Sequence, residues 1–460
     1  MTRKKRFIIV LICALLFLIV TPYIIFYSLG YRIDVKNMKI FTTGGIYVRA
    51  FPSGANITID SNIKNSTGLF SNSVFVQNLS PDQHTVLIQK DGYYDYQKNL
   101  KVEEKEVTKL ENVTLFKKNY IYNILEKNVN YFSIAPNNVT LLEAKVGSQK
   151  IDFNVINLDN SKIQPLSVSI NKGVVSDLKW SQNSEKGVIK INNLYFLIDL
   201  SDSQNPKISQ INYLLQSKEA NFNPQDSSQI FYIKSKNLYL SSEQNQPILN
   251  NVASYKIVNQ NIIWLSYDGF LYSSNILGNN TSKITSKAIS VNSLDSYSII
   301  DVTDRILLKD NDSLFLVNND TKVLEVLDQH AKQVSISPNN QRLLYFSLPA
   351  QAGDSEVSYY GQSINLNNER IHEKIGSFSN INDCQWLNDD YIVCSLADKI
   401  IISEIDTRGN LNTINLLQTV TLENNNKIDI KNADISFNQR DKKLYILTQS
   451  NLISSDRILP

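Results

Sequence analysis

Three histidines, His84, His330 and His372, are the whole imidazole supply of this 460-residue chain, and none stands at a metal-ligand spacing. With only three cysteines beside them, no zinc signature can be assembled. There is no glycine-rich phosphate loop, no G-x-S-x-G elbow and no catalytic Cys/His context. What remains is carboxylate chemistry. The acidic pairs Glu103-Glu104 and Asp389-Asp390 are of the residue type that glycosidases use. Both lie in stretches that read as turns or strand ends, where solvated acids are ordinary. Asp310-Asn311-Asp312 opens like a calcium loop but lacks the downstream Gly and Glu, and reads as a hairpin turn. The chain is therefore expected to have no catalytic, metal or cofactor-binding residues.

Cys384 and Cys394 flank the hairpin-like run CQWLNDDYIVC. A loop at Asn388-Asp389-Asp390 sets Cys384 opposite Cys394 and Trp386 opposite Ile392, close enough for a bridge. Two readings stand side by side: a disulfide, or two buried thiols behaving as small hydrophobes. The Asn-x-Ser/Thr triplets, such as those at Asn56 and Asn279, follow from an Asn-rich composition and are not read as glycosylation sites.

The elements that position these residues begin at the N-terminus. Phe7–Leu29 carries no charge and follows Arg3-Lys4-Lys5-Arg6. About 20 apolar residues cross a bilayer, and the basic cluster stays cytoplasmic by the positive-inside rule. Residues 1–6 are then a cytoplasmic tip, 7–29 a transmembrane helix, and the bulk of the chain extracytoplasmic. Tyr23 and Tyr27 suit an interfacial belt. A cleaved signal peptide is the alternative, but the apolar run exceeds a typical signal core. Cys13 lies inside the apolar run behind bulky Ile12, which does not suit lipidation.

The formal charge is +2, and four of the positive residues form the tip, leaving −2 for the rest. Such a balance offers no basic field for nucleic acid. Tyr, Phe, Ile, Val and Ser abound, which favours strands. Glycine is scarce, so Asn does much of the turn work.

Residues 30–43 read as a polar tether. From Gly44, apolar residues alternate: Ile46, Val48 and Ala50; Ile57 and Ile59; Val74 and Val76; Val86 and Ile88. GGIYVRAFPSGANITID, then LSPDQHTVLIQKDGYYDYQKNLKV, resembles a PEGA domain. The family's Pro-Glu-Gly-Ala turn is here Pro52-Ser53-Gly54-Ala55, with Ser in place of Glu. Its later Gly-Tyr element is Gly92-Tyr93, and Asp82-Gln83 replaces the usual Pro-Gly. The resemblance implies a β-sandwich over residues 44–117, with no catalytic residues to carry over. Pro52, Gly54 and Gly92 are accordingly backbone-geometry positions.

The remaining residues, 118–460, repeat. The clearest unit is QVSISPNNQRLLYFS, Gln333–Ser347; others centre on Ile134, Trp180, Phe222, Ile257, Ile300, Trp386 and Ile435. A strand-turn-strand-turn-strand unit every 40–45 residues or so is the period of a propeller blade. Seven or eight blades fit, and the ring closes if the strand at Tyr120–Leu125 joins the last unit, Ile435–Ile458. The turns Ser337-Pro338-Asn339-Asn340 and Ala135-Pro136-Asn137-Asn138 resemble those of WD-repeat-like propellers in bacterial envelope proteins, with Asn where Gly is usual.

The expected molecule is all-β: an N-terminal transmembrane helix, a small PEGA-like β-sandwich and a 7–8-bladed β-propeller. Its expected role is a membrane-anchored binding or scaffold protein of the cell envelope, with an envelope protein or cell-wall glycan as partner. An envelope glycan or peptide hydrolase on the same scaffold is the alternative. The longest expected rim insertion is Leu348–Val357.

Overall fold

Alternating and uninterrupted apolar runs sort the chain into strands of two kinds, and the two kinds occupy different places. The computed structural model describes residues 3–34, 39–68, 71–243, 246–348, 353–363, 370–421 and 427–460. It contains one long helix, Arg3–Ser28, and otherwise strands with a single 3-10 turn. The helix segment Arg6–Ser28 has a mean hydropathy of 3.0 and none of it is buried. It is long and apolar enough to cross a membrane; a signal sequence meets the same description.

The described chain divides into two units. The first comprises Met1–Tyr120, Asp406–Ile414 and Leu459–Pro460. The stretch expected to be a tether is instead a hairpin, in which Tyr31–Asp34 pairs antiparallel with Lys39–Thr42. Its strands are only four residues each, too short for a period-two pattern to stand out. The helix exit is tied to this unit at several points. Arg32 stacks on the Tyr27 ring at 3.6 Å and donates to Asn78 Oδ1 at 2.8 Å, while Thr43 N–H donates to the Gly30 carbonyl at 2.8 Å.

Two sheets make the body of this unit. In one, Gly44–Phe51 runs antiparallel to Ser73–Leu79 and parallel to Val107–Thr114. In the other the order is Ile63–Ser66, Asn56–Ile59, Gln83–Gln89, Tyr96–Lys101. Their alternating residues Ile46, Val48, Ile57, Ile59, Val86, Ile88 and Leu100 form one buried core. Each such side chain contributes about 1.5–3 kcal/mol. At Gly54 the turn after Pro52 takes φ +74°, a conformation costly for side chains with a Cβ.

Tyr96–Lys101 is an edge strand, and its inward positions are Tyr96, Lys98 and Leu100. Lys98 is a charged residue in a core slot, fully buried. Its ammonium donates to the carbonyls of Asp406, at 2.5 Å, and Asn410, at 2.9 Å. The Asn410 and Asn412 side chains bond the strand's free backbone: Asn99 N–H to Asn410 Oδ1, Asn410 Nδ2 to Gln97 O, and Gln97 N–H to Asn412 Oδ1. Side-chain amides thus occupy the hydrogen-bonding groups that an open sheet edge leaves vacant.

Among the described residues, the second unit, Ile121–Ile405 and Asn415–Ile458, holds eight successive antiparallel sheets of three or four strands and one two-stranded hairpin, Thr419–Thr421 with Lys427–Asp429. The first runs Tyr131–Ile134, Thr140–Val146, Ile151–Asn157, Ile163–Val168, and each later sheet repeats this meander. The third is three-stranded among the described residues. Second strands such as Tyr391–Leu396 are buried throughout, because a neighbouring sheet covers both faces. Fourth strands such as Ile163–Val168 alternate between exposed and half-buried at the rim.

Apolar clusters join the first sheet to the second, and so on around to the sixth. Trp386 Nε1 bonds Ser335 O between the sixth and seventh, and Gln439 Nε2 bonds Leu387 O between the seventh and eighth. Another cluster, including Leu141, Tyr445 and Leu452, joins the eighth sheet to the first. Tyr122–Lys127 pairs with Asn451–Arg457, so the unit's first strand completes its last sheet, as the repeat pattern anticipated. The ring is closed and the architecture is a β-propeller.

The Asn-rich turns explain how the repeats manage without glycine. Asn137, Asn183 and Asn339 each accept a backbone N–H two residues on. Asn138 and Asn340 take φ near +57°, the left-handed region that Asn tolerates best after Gly. Of the expected rim insertion, 349–352 lie outside the described residues, and Ser355, Glu356 and Val357 already belong to the strand Ser355–Gln362.

Candidate functional site in the central channel

In each sheet the first strand lines the middle of the ring, and period-two alternation sends every other side chain the same way. Four of these strands carry one pattern: an acid, an apolar residue, a polar residue and an aromatic. They are Asp177-Leu178-Lys179-Trp180, Glu219-Ala220-Asn221-Phe222, Asp383-Cys384-Gln385-Trp386 and Asp434-Ile435-Ser436-Phe437. The apolar and aromatic members pack between sheets; Leu178 and Trp180 join one inter-sheet cluster, Ala220 and Phe222 the next. Of the acid and polar members, Lys179, Glu219, Asn221 and Ser436 line one cavity and Asp383 and Asp434 another. This spacing is a sequence signal for channel carboxylates, legible only once the inner strands are aligned.

A cavity of about 630 Å³ opens among the first strands of the first five sheets and the eighth. Its wall includes Ile134, Pro136, Lys179, Trp180, Glu219, Asn221, Phe222, Tyr255, Lys256, Ser298 and Phe437. Its middle is an ordered hydrogen-bond chain. Tyr255 OH donates to Phe231 O at 2.7 Å; Asn221 Nδ2 donates to Tyr255 OH and to Glu219 Oε1, each at 3.1 Å. Burial pushes the Glu219 carboxyl up to about 7, and nearby Asp177 adds to this, while Asn221 and Lys179 pull it down. Burial also raises the Tyr255 hydroxyl far above its ordinary value. Lys179 pairs with Asp177 at 3.0 Å.

A second cavity, about 540 Å³, is lined by Lys332, Gln333, Phe346, Leu348, Asn382, Asp383 and Asp434. Asp383 accepts from Gln333 Nε2 at 2.5 Å and Gln385 Nε2 at 2.9 Å. Burial nevertheless pushes it up to about 6, with Asp434 adding to the effect. Neither cavity was anticipated from the residue pairs singled out by type.

Those pairs lie elsewhere. Glu103 forms a surface pair with Lys101 at 2.6 Å, and Glu104 accepts from Thr42 Oγ1 at 2.7 Å. Asp389 accepts the Asn339 backbone N–H at 3.0 Å in a turn. Asp310 and Ser313 close a tight hairpin around Asn311, at φ +49°. Among the described residues no three His, Cys, Asp or Glu side chains are grouped to hold a metal. His84 is buried between Asp60, at 2.6 Å, and Ser80 O, at 2.8 Å; His372 bonds the Tyr345 hydroxyl; His330 sits at an exposed turn.

Cys384 stands opposite Cys394 and Trp386 opposite Ile392 in the seventh sheet. The two cysteines, with Cα atoms 4.1 Å apart, are joined as a disulfide in the structure.

Comparison with known proteins bears on each unit separately. No curated protein sequence matches the chain. Among solved structures, the C-terminal WD40 domain of Sif2 aligns at 10% identity over 74% of this chain and 99% of that one, with a TM-score of 0.49. Saccharomyces cerevisiae Sqt1 aligns at 9% over 74% and 98%, TM-score 0.47. BamB from Moraxella catarrhalis aligns at 10% over 73% and 97%, TM-score 0.44. The propeller assignment itself rests on the closed order of sheets. Residues 43–119, in the first unit, match the family model of the PEGA domain.

Proposed function

We propose that this chain is a non-enzymatic binding protein of the bacterial cell envelope. The Arg3–Ser28 helix serves as an uncleaved anchor, with Arg3–Arg6 on the cytoplasmic side and residues 30–460 extracytoplasmic. The propeller is its binding head, and the partner is an envelope protein or a cell-wall glycan. The observation that carries this reading is the channel cavity, whose wall mixes apolar faces with a few fixed polar groups, as ligand sites do.

The purified full chain, in detergent, is expected to sediment with isolated cell-wall material and to release no soluble fragments from it. Failure to be retained overturns the reading. Protease added to intact spheroplasts is expected to remove the propeller while the N-terminus stays protected; recovery of a soluble chain starting after residue 20 or so would instead show a cleaved signal.

One observation favours hydrolysis as a second reading. Glu219 lines the channel cavity with its carboxyl pushed up by burial, and a buried acid of raised protonation is one of the two groups that glycosidases use. Steady fragment release that disappears in Glu219→Gln would establish that reading in place of the first.

A further inference from the structure

The channel cavity carries more information than its size. Asn221 commits both amide protons, one to Glu219 Oε1 and one to Tyr255 OH, which fixes the orientation of the amide. Its Oδ1 is left with no partner among the described residues. The second oxygen of Glu219 is equally uncommitted, and the Lys256 ammonium makes no hydrogen bond or ion pair among the described residues. Ser298 adds an open hydroxyl on the fifth sheet. The cavity thus presents acceptors, an ammonium donor and a hydroxyl, together with the apolar surface of Phe222 and its neighbours. Its wall is not of one sign, since Lys179 is held by Asp177 and the lining carries both Glu219 and Lys256.

A ligand that suits this wall offers hydroxyl groups, each donor and acceptor at once, on a compact body with apolar C–H faces. A strongly charged ligand is not matched by a wall of mixed sign. The volume, about 630 Å³, falls in the range of sites for small ligands and chain ends and is far too small for a folded domain. We infer that the central cavity binds the end of a saccharide chain, with Asn221 Oδ1 accepting from one sugar hydroxyl and Glu219 bonding a neighbouring one. This rests on the reading of the propeller as a binding head and names the ligand class of that head.

Glu219 gives the interaction a direction with pH. Its neutral form both donates and accepts, whereas the ionised form only accepts. Besides burial, the groups that set its protonation are Asp177 and Lys179 on the second sheet's inner strand and Lys218 and Asn221 on its own segment, with Tyr255 and Lys256 of the fourth sheet lining the same cavity. Saccharide binding therefore weakens as pH rises through about 7.

The test uses the purified full chain in detergent with three probes: a β-1,4-linked N-acetylglucosamine tetrasaccharide, cellotetraose and an acidic tetrapeptide. Titration calorimetry gives affinity; tryptophan fluorescence gives location, since Trp180 is in the cavity wall. Saturable binding of at least one saccharide, absent for the peptide, is expected. Asn221→Ala should weaken it roughly tenfold or more. Ser298→Trp, a substitution at an exposed wall position, should abolish it by filling the space. Glu219→Gln should keep binding and flatten the pH dependence. If Asn221→Ala fails to fold by circular dichroism, Ser298→Trp decides the location.

Saccharide binding unchanged in both variants overturns the inference, as does binding of the peptide alone. Retention of the full chain on cell-wall material without binding of either saccharide overturns this inference and leaves the binding head standing. Loss of retention as well overturns both.

Discussion

Lys145 Nζ lies 2.7 Å from Glu126 Oε2, across the seam where the propeller closes. Glu126 is on Tyr122–Lys127, the strand that completes the eighth sheet; Lys145 is on the second strand of the first sheet. The same ammonium stands 3.5 Å from Glu143 Oε1, and the Glu143 side chain is fully buried. One cation thus serves two acids, one on each side of the seam.

Lys145→Ala leaves Glu143 buried without its cation, with Asn154 Nδ2 as its remaining donor at 2.7 Å. The expected loss is on the order of 1–3 kcal/mol, read as a lower thermal midpoint. Deleting the residues after Asp441 removes Lys443–Thr448 and Asn451–Arg457, strands to which Tyr122–Lys127 and Asp434–Phe437 pair. The truncated chain is expected to aggregate, because the ring then presents unpaired edges. A soluble, folded truncation would show that closure is not what stabilises it.

Lys98→Met keeps the volume of the buried stem and removes the ammonium that holds the Asp406 and Asn410 carbonyls. A local loosening of 406–414, by about 1–3 kcal/mol per orphaned group, is expected. Hydrogen exchange should report it in residues 97–99 and 406–414. Unchanged protection there would mean that the asparagine side chains alone cap the edge.

The raised carboxyls make stability fall as pH rises. Glu219 goes from 4.5 to about 7 on folding and Asp383 from 3.8 to about 6. The folded state therefore holds protons that the unfolded state has released. The contribution is full below about pH 4 and is lost progressively up to about pH 7. Glu219→Gln and Asp383→Asn should each raise stability at about pH 8, by an amount on the order of 2 kcal/mol, and leave it nearly unchanged near pH 4. Melts at the two pH values decide it; equal effects at both would show that burial does not hold these protons.

Thiol labelling addresses the cysteine pair. In the denatured but unreduced chain, only Cys13 of the three cysteines should react, and all three should react after reduction. Replacing Cys384 and Cys394 by serine should cost about 2–3 kcal/mol, the scale expected for a short closed loop. Full labelling without reductant would place two buried thiols at this position.

Much of this molecule was written locally. An uncharged run behind Arg3–Arg6 is a membrane-spanning or signal segment whatever surrounds it, because the cost of apolar exposure is a property of the segment. The repeats were legible because each sheet must bury the same second strand, as with Arg342–Ser347, and end on the same kind of turn. Register across the Cys384–Cys394 hairpin followed from loop length and period-two alternation.

What the sequence did not determine is convergence. Asp177, Glu219, Asp383 and Asp434 stand up to 257 residues apart in number, and only the closed ring brings their strands to a common channel. The raised protonation of Glu219 and Asp383 depends on burial by sheets that the local sequence does not specify. The Tyr31–Asp34 hairpin escaped for a different reason: it pairs with nearby Lys39–Thr42 over four residues a side, too few for a period-two pattern to stand out. Lys98 reads locally as a solvated lysine; the tertiary structure alone supplies the carbonyls of Asp406 and Asn410 that let a charge occupy a core position.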